Sequence, residues 1–340
     1  MAPQYRYRLF GLTLCSPLVL PCPECPECPE CDDDADVWLG PANLTTFARA
    51  HAEATSAHNP GEWFSCSRLT DGSRYLRWAG LFEFLVSPDG RRIWCLRLEH
   101  ASSESLNVYL LGHVLSVSLL ALGVESLHGT ATVIDGNAVV FLGGCGCGKS
   151  TLAAALLARG FPVLTDDLVA LARRGAAWDV HPGMPRLKLF PSIASRLLGT
   201  EVREPRMNAG TSKLVLPLGT GQAVREAVPL RAMYLLPQPT KRVNRAAPRV
   251  RIESLSERNA FLELIGAAFN LVVLERPRVA NQFAFATQLA SSVPVRRLMY
   301  PRRLSALPAV CDALVADVAD VAPVGPRASQ DGYTAGTATT

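Results

Sequence analysis

The chain has little charge and no concentrated block of it. Of its 340 residues, 19% are charged and 49% are hydrophobic, and the formal net charge is +4. No run of Lys and Arg alternates with aromatic residues, so the sequence offers no support for nucleic-acid binding. A chain of this length and hydrophobicity can bury a large core, and we expect two domains rather than one.

The sequence also lacks an uninterrupted membrane segment. The apolar run from Leu9 to Leu20 follows Arg6 and Arg8 as in a signal peptide, but Pro17 interrupts it and no small-residue cleavage pattern follows. The segment Leu106–Val124 contains polar residues, which favours a buried helix. We therefore expect a soluble, cytoplasmic protein with no membrane partner.

A secretory disulfide framework is absent as well, although the chain has ten cysteines. Four of them form a triplet repeat within residues 21–34, two lie in a glycine-rich segment, and four lie singly in apolar surroundings (Cys15, Cys66, Cys95 and Cys311). This is not the even spacing of a disulfide scaffold. The repeat could bind zinc or an iron–sulfur cluster. Its regular prolines, however, favour a low-complexity surface loop without stoichiometric metal.

Residues 1–118 have the pattern of a small α+β domain. Strands are predicted at Tyr5–Leu14, Arg74–Arg77, Leu81–Ser87 and Arg91–Leu98, and helices at 42–56 and 104–122. Pro88-Asp89-Gly90 is a strong turn signal between the last two strands. This domain is predicted to serve substrate recognition or regulation.

A second domain is predicted over residues 119–322, followed by a disordered tail over 323–340 that has no apolar periodicity. Outside the central motif of this domain, strands are predicted at 161–164, 168–171, 230–236, 250–255 and 294–299, and helices at 257–273, 277–291 and 303–320.

The centre of the second domain carries the most specific pattern in the chain. His128–Ile134 and Ala138–Leu142 are strand-like runs joined by the tight turn Asp135-Gly136-Asn137. The second run leads into Gly143-Gly144-Cys145-Gly146-Cys147-Gly148-Lys149-Ser150, followed by Thr151 and an apolar helix that ends at Arg159-Gly160. This is the G-x-x-x-x-G-K-S phosphate loop, in the strand-to-helix context that it requires.

Each residue type in this loop suits the binding of a nucleoside triphosphate. The glycines let the backbone curl so that its N–H groups and the helix N-terminus face phosphate oxygens. Lys149 can reach the β- and γ-phosphates, and the Ser150 hydroxyl can bind Mg²⁺. Cys145 and Cys147 occupy positions that need only small side chains, although they could also be redox-sensitive thiols. We therefore predict that residues 143–151 bind ATP and Mg²⁺.

An acidic pair, Asp166-Asp167, follows Lys149 by only 17 residues. Phosphoryl transfer needs ligands for the metal and a carboxylate that orients or deprotonates the acceptor. Two adjacent carboxylates at the end of a strand can divide these two tasks. The alternative interpretation is that Asp166-Asp167 forms only a solvated turn. His128 is predicted to be an active-site residue, the alternative being a strand-end histidine that caps the backbone.

Together these residues resemble the C-terminal catalytic domain of bacterial HPr kinase/phosphorylase, whose phosphate-loop domain is related to that of phosphoenolpyruvate carboxykinase. The resemblance covers about residues 125–171. It implies an α/β fold of this type, preceded by the smaller α+β domain. It also implies that Lys149 and Ser150 bind phosphate and Mg²⁺, and that His128 is an active-site residue. By the same resemblance, Asp166 is the general base and Asp167 its acidic neighbour facing the metal.

The sequence departs from this family in two respects. The Glu-Ile-Arg-Gly signature is absent, with Arg186-Leu187-Lys188 in the corresponding region, and residues 1–118 do not resemble the family's N-terminal domain. The chain is more similar to the HPr kinase-related serine kinases, some of which phosphorylate lasso-peptide precursors. That similarity involves the segments Tyr5–Leu12, Leu127-His128-Gly129 and Pro294–Pro301. On a strand, Arg186 and Lys188 would share a face and could meet phosphate or an acidic peptide, or form a solvated edge.

The resemblance implies an ATP-dependent, Mg²⁺-requiring kinase that phosphorylates a serine hydroxyl of a peptide or small protein. Two alternatives remain open: a kinase of free serine or another small metabolite, and a nucleotide-binding regulatory protein without transfer activity. The absent signature favours the regulatory protein, whereas the intact Asp166-Asp167 pair favours transfer. A homo-oligomer is compatible with the sequence.

Overall fold

The computed structural model describes residues 4–25, 35–55, 62–199, 205–208, 210–238, 249–270 and 273–321. The predicted tail over 323–340 and most of the cysteine repeat lie outside these residues. The described part is a mixed α/β fold that contains a seven-stranded, an eight-stranded and a two-stranded sheet.

The N-terminal sheet consists of seven short strands. They are β1 (Tyr5–Leu9), β2 (Leu12–Ser16), β3 (Val37–Pro41), β4 (Phe64–Arg68), β5 (Arg74–Trp78), β6 (Phe82–Val86) and β7 (Arg92–Arg97), in the spatial order β1-β2-β3-β7-β6-β5-β4. The turn at Pro88-Asp89-Gly90 joins the antiparallel strands β6 and β7 as predicted.

The single strand predicted at Tyr5–Leu14 is wrong, because β1 and β2 form an antiparallel hairpin. The chain reverses at Phe10 and Gly11, whose φ angles are 54° and 82°. The apolar alternation continues across this turn, so Gly11 is its main sequence signal. Cys15 on β2 is disulfide-bonded, which the sequence did not predict.

Two helical segments accompany this sheet, as predicted. The first is α1 (Leu44–Thr55), and the second consists of α2 (Ser103–Tyr109), a π-helical turn over Leu110–Val114 and α3 (Leu115–Ala121). By length and composition Ser103–Ala121 could cross a membrane, but most of it is buried inside the chain, as in a core helix. The hydrophobic core that this helical segment shares with the N-terminal sheet also includes Leu168, Ala170 and Met184 from later in the chain. The boundary between 118 and 119 stays a prediction, and α3 runs across it.

The remaining strands belong to the other two sheets. They are β8 (Ser126–Ile134), β9 (Asn137–Leu142), β10 (Val163–Thr165), β11 (Leu168–Arg174), β12 (Ala177–Val180), β13 (Arg186–Leu189), β14 (Leu214–Pro217), β15 (Val228–Leu235), β16 (Arg251–Ser254) and β17 (Val295–Met299). Strands β13 and β14 pair only with each other among the named strands, and the other eight form one sheet.

Strand β9 lies at the centre of the eight-stranded sheet. It pairs antiparallel with β8 through the predicted hairpin turn, where the φ angles of Asp135 and Gly136 are 48° and 73°. On its other side β9 runs parallel to β15, which runs parallel to β17. The carboxyl ends of β9, β15 and β17 therefore lie at one edge of the sheet.

The described residues of this part of the chain form five further α-helices. They are α4 (Lys149–Leu157), α5 (Pro191–Leu198), α6 (Glu257–Gly266), α7 (Arg276–Ser292) and α8 (Leu307–Asp320). The helix predicted over 257–273 ends early, because the chain after Gly266 turns to bond β8: Ala267 O accepts from His128 N, and Phe269 N donates to Ser126 O. Residues 271–272 of that prediction lie outside the described residues. Helices α7 and α8 agree with the predictions over 277–291 and 303–320.

Candidate functional site

The glycine loop, residues 143–148, joins β9 to α4. Gly148 precedes α4 in the left-handed region, at a φ angle of 90°. A Cβ added to Gly143 would lie 2.5 Å from the Leu236 carbonyl oxygen. Both positions therefore require glycine, and the loop ends at the N-terminus of a nine-residue helix. Such an N-terminus, which continues through Ser150 and Thr151, is suited to an anionic group.

The two cysteines of the loop differ in exposure. Cys145 is exposed, whereas Cys147 is buried in the core beside α4. Burial raises the pKa of the Cys147 thiol above its ordinary value, and the nearby Lys149 only partly opposes this shift. Cys147 is therefore protonated at neutral pH and behaves as a small apolar side chain.

The Lys149 ammonium folds back over the glycine loop. Its Nζ donates to the carbonyl oxygens of Gly143, at 2.6 Å, and Gly144, at 3.1 Å, and lies 3.1 Å from His128 Nε2. The side chain is buried, and this burial lowers the pKa of Lys149. A desolvated ammonium is thus held against the loop, and no carboxylate of the described residues contacts it directly, which leaves its charge available to an anion.

His128 connects Lys149 to the acidic pair. Its Nδ1 lies 3.2 Å from the carbonyl oxygen of Asp167, and its Nε2 faces the Lys149 ammonium. Because an ammonium can only donate, Nε2 accepts and Nδ1 donates, which defines a neutral imidazole. Burial, followed by the charge of Lys149, lowers the pKa of His128 to about 4. His128 therefore caps the backbone and also positions the lysine of the loop.

We expect His128 to make the protein less stable in mild acid. The unfolded chain binds a proton near the ordinary pKa of 6.5, whereas the folded chain does so only near 4. Stability is therefore present above pH 6.5 and is lost as the pH falls toward 4. A shift of this size corresponds to about 3 kcal/mol of unfolding free energy.

Chemical denaturation of the wild type and of His128→Gln across this pH range tests the expectation. The wild type should lose more unfolding free energy than the variant, and His100→Gln, at an exposed histidine, should behave as the wild type. Equal pH slopes in the wild type and His128→Gln would contradict the assignment.

Asp166 is buried, and donors engage both of its carboxylate oxygens. Oδ1 accepts from the hydroxyls of Thr130, at 2.7 Å, and Ser150, at 2.9 Å, and Oδ2 accepts from the Lys188 backbone N–H at 2.9 Å. Burial raises the pKa of Asp166, and the neighbouring charge of Asp167 raises it further. The structure thus brings together Ser150 and the first carboxylate of the pair.

Asp167 is more accessible and is held ionised. Its φ angle of 73° is unusual for a residue other than glycine, and its side chain, 29% exposed, forms an ion pair with Lys188. Burial alone would raise the pKa of Asp167, but the Lys188 ammonium lowers it well below its ordinary value. The pKa values of the two carboxylates are therefore shifted in opposite directions. Because Asp166 is buried, the acidic pair is not a solvated turn.

Several residues of this cluster had no strong sequence signal. Thr130 and Lys188 both bind Asp166, and the Lys188 side chain is buried, which excludes the solvated edge considered for β13. Arg302 holds the far side of the glycine loop: it donates to the Cys147 carbonyl and, at 2.8 Å, to the Pro237 carbonyl. Arg302 is 155 positions away from Cys147 in sequence, so no local pattern indicates this contact.

A cavity of about 740 Å³ adjoins the glycine loop. It lies at the carboxyl ends of β9, β15 and β17 and is bordered by α6, and its lining includes His128, Gly143, Gly144, Gln238, Glu263 and Met299. Ligands of open sheets bind at the carboxyl ends of parallel strands. The cavity is therefore placed to receive the part of a ligand that extends beyond the loop.

The donor set fits Mg²⁺ better than a metal bound only by protein groups. In the part of the chain that the structure describes, no group of three or more His, Cys, Asp and Glu side chains could hold a metal ion. Mg²⁺ typically takes one or two carboxylates together with waters and substrate phosphates. Ser150, Asp166 and Asp167 carry the oxygen atoms that could hold such a metal, and Ser150 and Asp166 are in direct contact.

Comparison with known proteins gives distant structural similarity only. No family model matches the chain, and no curated protein shows significant similarity to it. Among solved structures, the chain is similar to the HPr(Ser) kinase/phosphatase from Coxiella burnetii, at 16% identity and a TM-score of 0.31. The match covers 56% of this chain and 94% of that chain. A similarity of this degree determines neither activity nor substrate.

Proposed function

We propose that this protein is an ATP-dependent, Mg²⁺-requiring kinase that phosphorylates a serine hydroxyl of a peptide or small protein. The observation that carries the proposal is the 2.9 Å hydrogen bond from Ser150 to Asp166. It unites the hydroxyl of the G-K-S motif with the acidic pair in one cluster. A protein that only binds a nucleotide needs the loop, but it does not need two carboxylates of different pKa beside it.

The donor half of the reaction belongs to the glycine loop and Lys149. The backbone N–H groups at the start of α4 and the Lys149 ammonium bind the β- and γ-phosphates of ATP. The nucleoside extends toward the 740 Å³ cavity. When bound at Ser150 and the acidic pair, Mg²⁺ would neutralise charge on the transferred phosphoryl group.

The acceptor half belongs to the acidic pair. In this proposal Asp166 accepts the proton of the acceptor hydroxyl, because its raised pKa makes it the stronger base, and Asp167 stays ionised facing the metal. The hydrogen bond from Ser150 to Asp166 favours the opposite division, in which Asp166 belongs to the metal side. Substitution of Asp166 distinguishes these two assignments.

The direct test incubates the full chain with [γ-³²P]ATP, Mg²⁺ and serine-containing peptides, with free serine in parallel. Phosphoserine formed on peptides in preference to free serine supports the proposal. Preference for free serine would identify a metabolite kinase. Tight binding of ATP–Mg²⁺ without transfer to any acceptor would identify a regulatory protein.

Replacing Ser150 with alanine is expected to raise the Mg²⁺ concentration needed for half-maximal transfer by roughly 10–100-fold, the range for losing a supporting group at a metal site. The variant loses the hydroxyl that bonds Asp166. Transfer is measured as a function of Mg²⁺ concentration, with Ser195→Ala, at an exposed serine of α5, as the control. An unchanged Mg²⁺ requirement would show that Ser150 does not serve the metal.

A further inference from the structure

Strand β13 places two cationic side chains on one face, and only one of them forms an ion pair with a residue that the structure describes. Lys188 forms the ion pair with Asp167. Arg186, two residues earlier, is 7% exposed. Among the residues that the structure describes, its side chain has no hydrogen-bond or ion-pair partner. A buried guanidinium without partners is costly, so its retention in this position calls for a ligand.

The surrounding carboxylates do not satisfy Arg186. Burial lowers the pKa of Arg186, and the charges of Asp167 and Asp166 oppose this shift from a distance. Both carboxylates are already engaged by direct donors, Asp166 by Thr130 and Ser150, and Asp167 by Lys188. Within the described residues, no acceptor engages the five N–H donors of the guanidinium, so they are available to an anion that enters from outside.

A cavity of about 260 Å³ gives access to Arg186. Its wall combines the N-terminal part of the chain, through Pro21, Glu104 and Asn107, with Arg186 on β13 and Pro217 on β14. Proline has no N–H, so the anion donors on this wall come mainly from Arg186 and the Asn107 amide. The cavity is separate from the larger one at the glycine loop, and the two share no lining residue.

We propose that Arg186 binds a carboxylate of the acceptor in this cavity, so that the preferred acceptor is a peptide with an acidic group close to its serine. The inference rests on the proposed kinase function. Residues two apart on a strand are separated by about 7 Å. The reacting hydroxyl at the acidic pair and the carboxylate at Arg186 would then lie one or two peptide units apart along the acceptor.

The charges of the site favour a carboxylate over a phosphate. A single carboxylate carries one negative charge and can pair with the Arg186 guanidinium in a planar, bidentate arrangement. A phosphate group carries about −1.5 to −2 charges at neutral pH. It would leave excess negative charge beside Asp166, Asp167 and Glu104. Inorganic phosphate is therefore expected to compete poorly for this cavity.

The test uses fluorescent seven-residue peptides with a central serine. In each peptide one of the other positions carries Asp, and a matched peptide carries Asn at the same position. Affinity is measured by anisotropy without ATP, and kcat/KM by transfer from ATP–Mg²⁺. The wild type should prefer the Asp peptide at one or two positions next to the serine by roughly 10–100-fold, as for a charge-assisted hydrogen bond. The preference should disappear in Arg186→Met and persist in Arg196→Met, at an exposed arginine of α5.

The outcomes separate this inference from the kinase proposal. Equal affinity of the wild type for Asp and Asn peptides at every position, with ATP–Mg²⁺ binding intact, overturns the carboxylate site alone. Selection of Asp peptides without ATP binding overturns the kinase proposal alone. A preference that survives in Arg186→Met, or in Arg186→Gln if the methionine variant does not fold, assigns the carboxylate to another residue. Displacement of Asp peptides by millimolar inorganic phosphate overturns the choice of a carboxylate.

Discussion

Replacing Lys149 with alanine is expected to reduce phosphoryl transfer by about two to three orders of magnitude or more, the cost of removing a preorganised charge at the transferred group. The Lys149 ammonium is buried, and the Gly143 and Gly144 carbonyls and His128 hold it against the glycine loop. No other lysine contacts this loop in the part of the chain that the structure describes. Radiolabel transfer to peptide at saturating ATP measures the effect.

The matched control is Lys213→Ala, at a lysine that lies over the Phe190 ring, 5.6 Å from its centre, and bonds none of the loop residues. It should transfer phosphate at the wild-type rate. If Lys149→Ala turns over ATP as fast as the wild type, the donor site lies elsewhere and the glycine loop has another role.

The contact between His128 and Lys149 extends this prediction to a double-mutant cycle. His128 Nε2 accepts from the Lys149 ammonium at 3.1 Å, and its Nδ1 donates to the backbone carbonyl of Asp167. If His128 acts by positioning Lys149, the effect of His128→Gln on transfer should largely vanish in the Lys149→Ala background. Additive effects would instead assign His128 an independent role.

The local parts of the site could be predicted from the sequence because neighbouring residues determine them. The hairpin of β8 and β9 follows from Asp135 and Gly136, which adopt the positive φ angles that a tight turn needs. The glycine loop follows from glycines that either have no room for a side chain, such as Gly143, or adopt positive φ angles, such as Gly146, and α4 follows from the apolar run behind Lys149. These features depend on segments of at most about a dozen residues, over which sequence patterns are informative.

The parts that could not be predicted depend on contacts between distant segments. Lys188 reaches Asp167 over 21 positions and Arg302 reaches Cys147 over 155, and neither pairing follows from a local pattern. Strand β13 contains two cations yet is buried along its whole length, because each cation faces the site instead of water. The early end of α6 has the same origin, since Ala267 bonds His128 on β8 rather than continuing the helix.

Replacing Asp166 with asparagine is expected to lower transfer by roughly two to four orders of magnitude while ATP affinity changes only a few-fold, the pattern for a lost general base. Asparagine keeps an oxygen for the hydroxyls of Thr130 and Ser150, so the loop geometry should persist. Its amide nitrogen cannot accept from the Lys188 backbone N–H, which adds about 1–3 kcal/mol of destabilisation but does not touch the nucleotide. Asp312→Asn, at an exposed carboxylate, is the control.

The same variant decides between the two assignments of the acidic pair. If Asp166 belongs to the metal side, as its bond to Ser150 favours, then Asp166→Asn should weaken ATP–Mg²⁺ binding and transfer by similar factors, and high Mg²⁺ should restore part of both. In that case Asp167→Asn should show the pattern of the lost base, because Asp167 is the more accessible carboxylate. If Asp166 is the base, added Mg²⁺ restores nothing, since the missing proton acceptor does not depend on metal occupancy. Titration of both variants with Mg²⁺ at saturating ATP therefore identifies which carboxylate faces the acceptor hydroxyl.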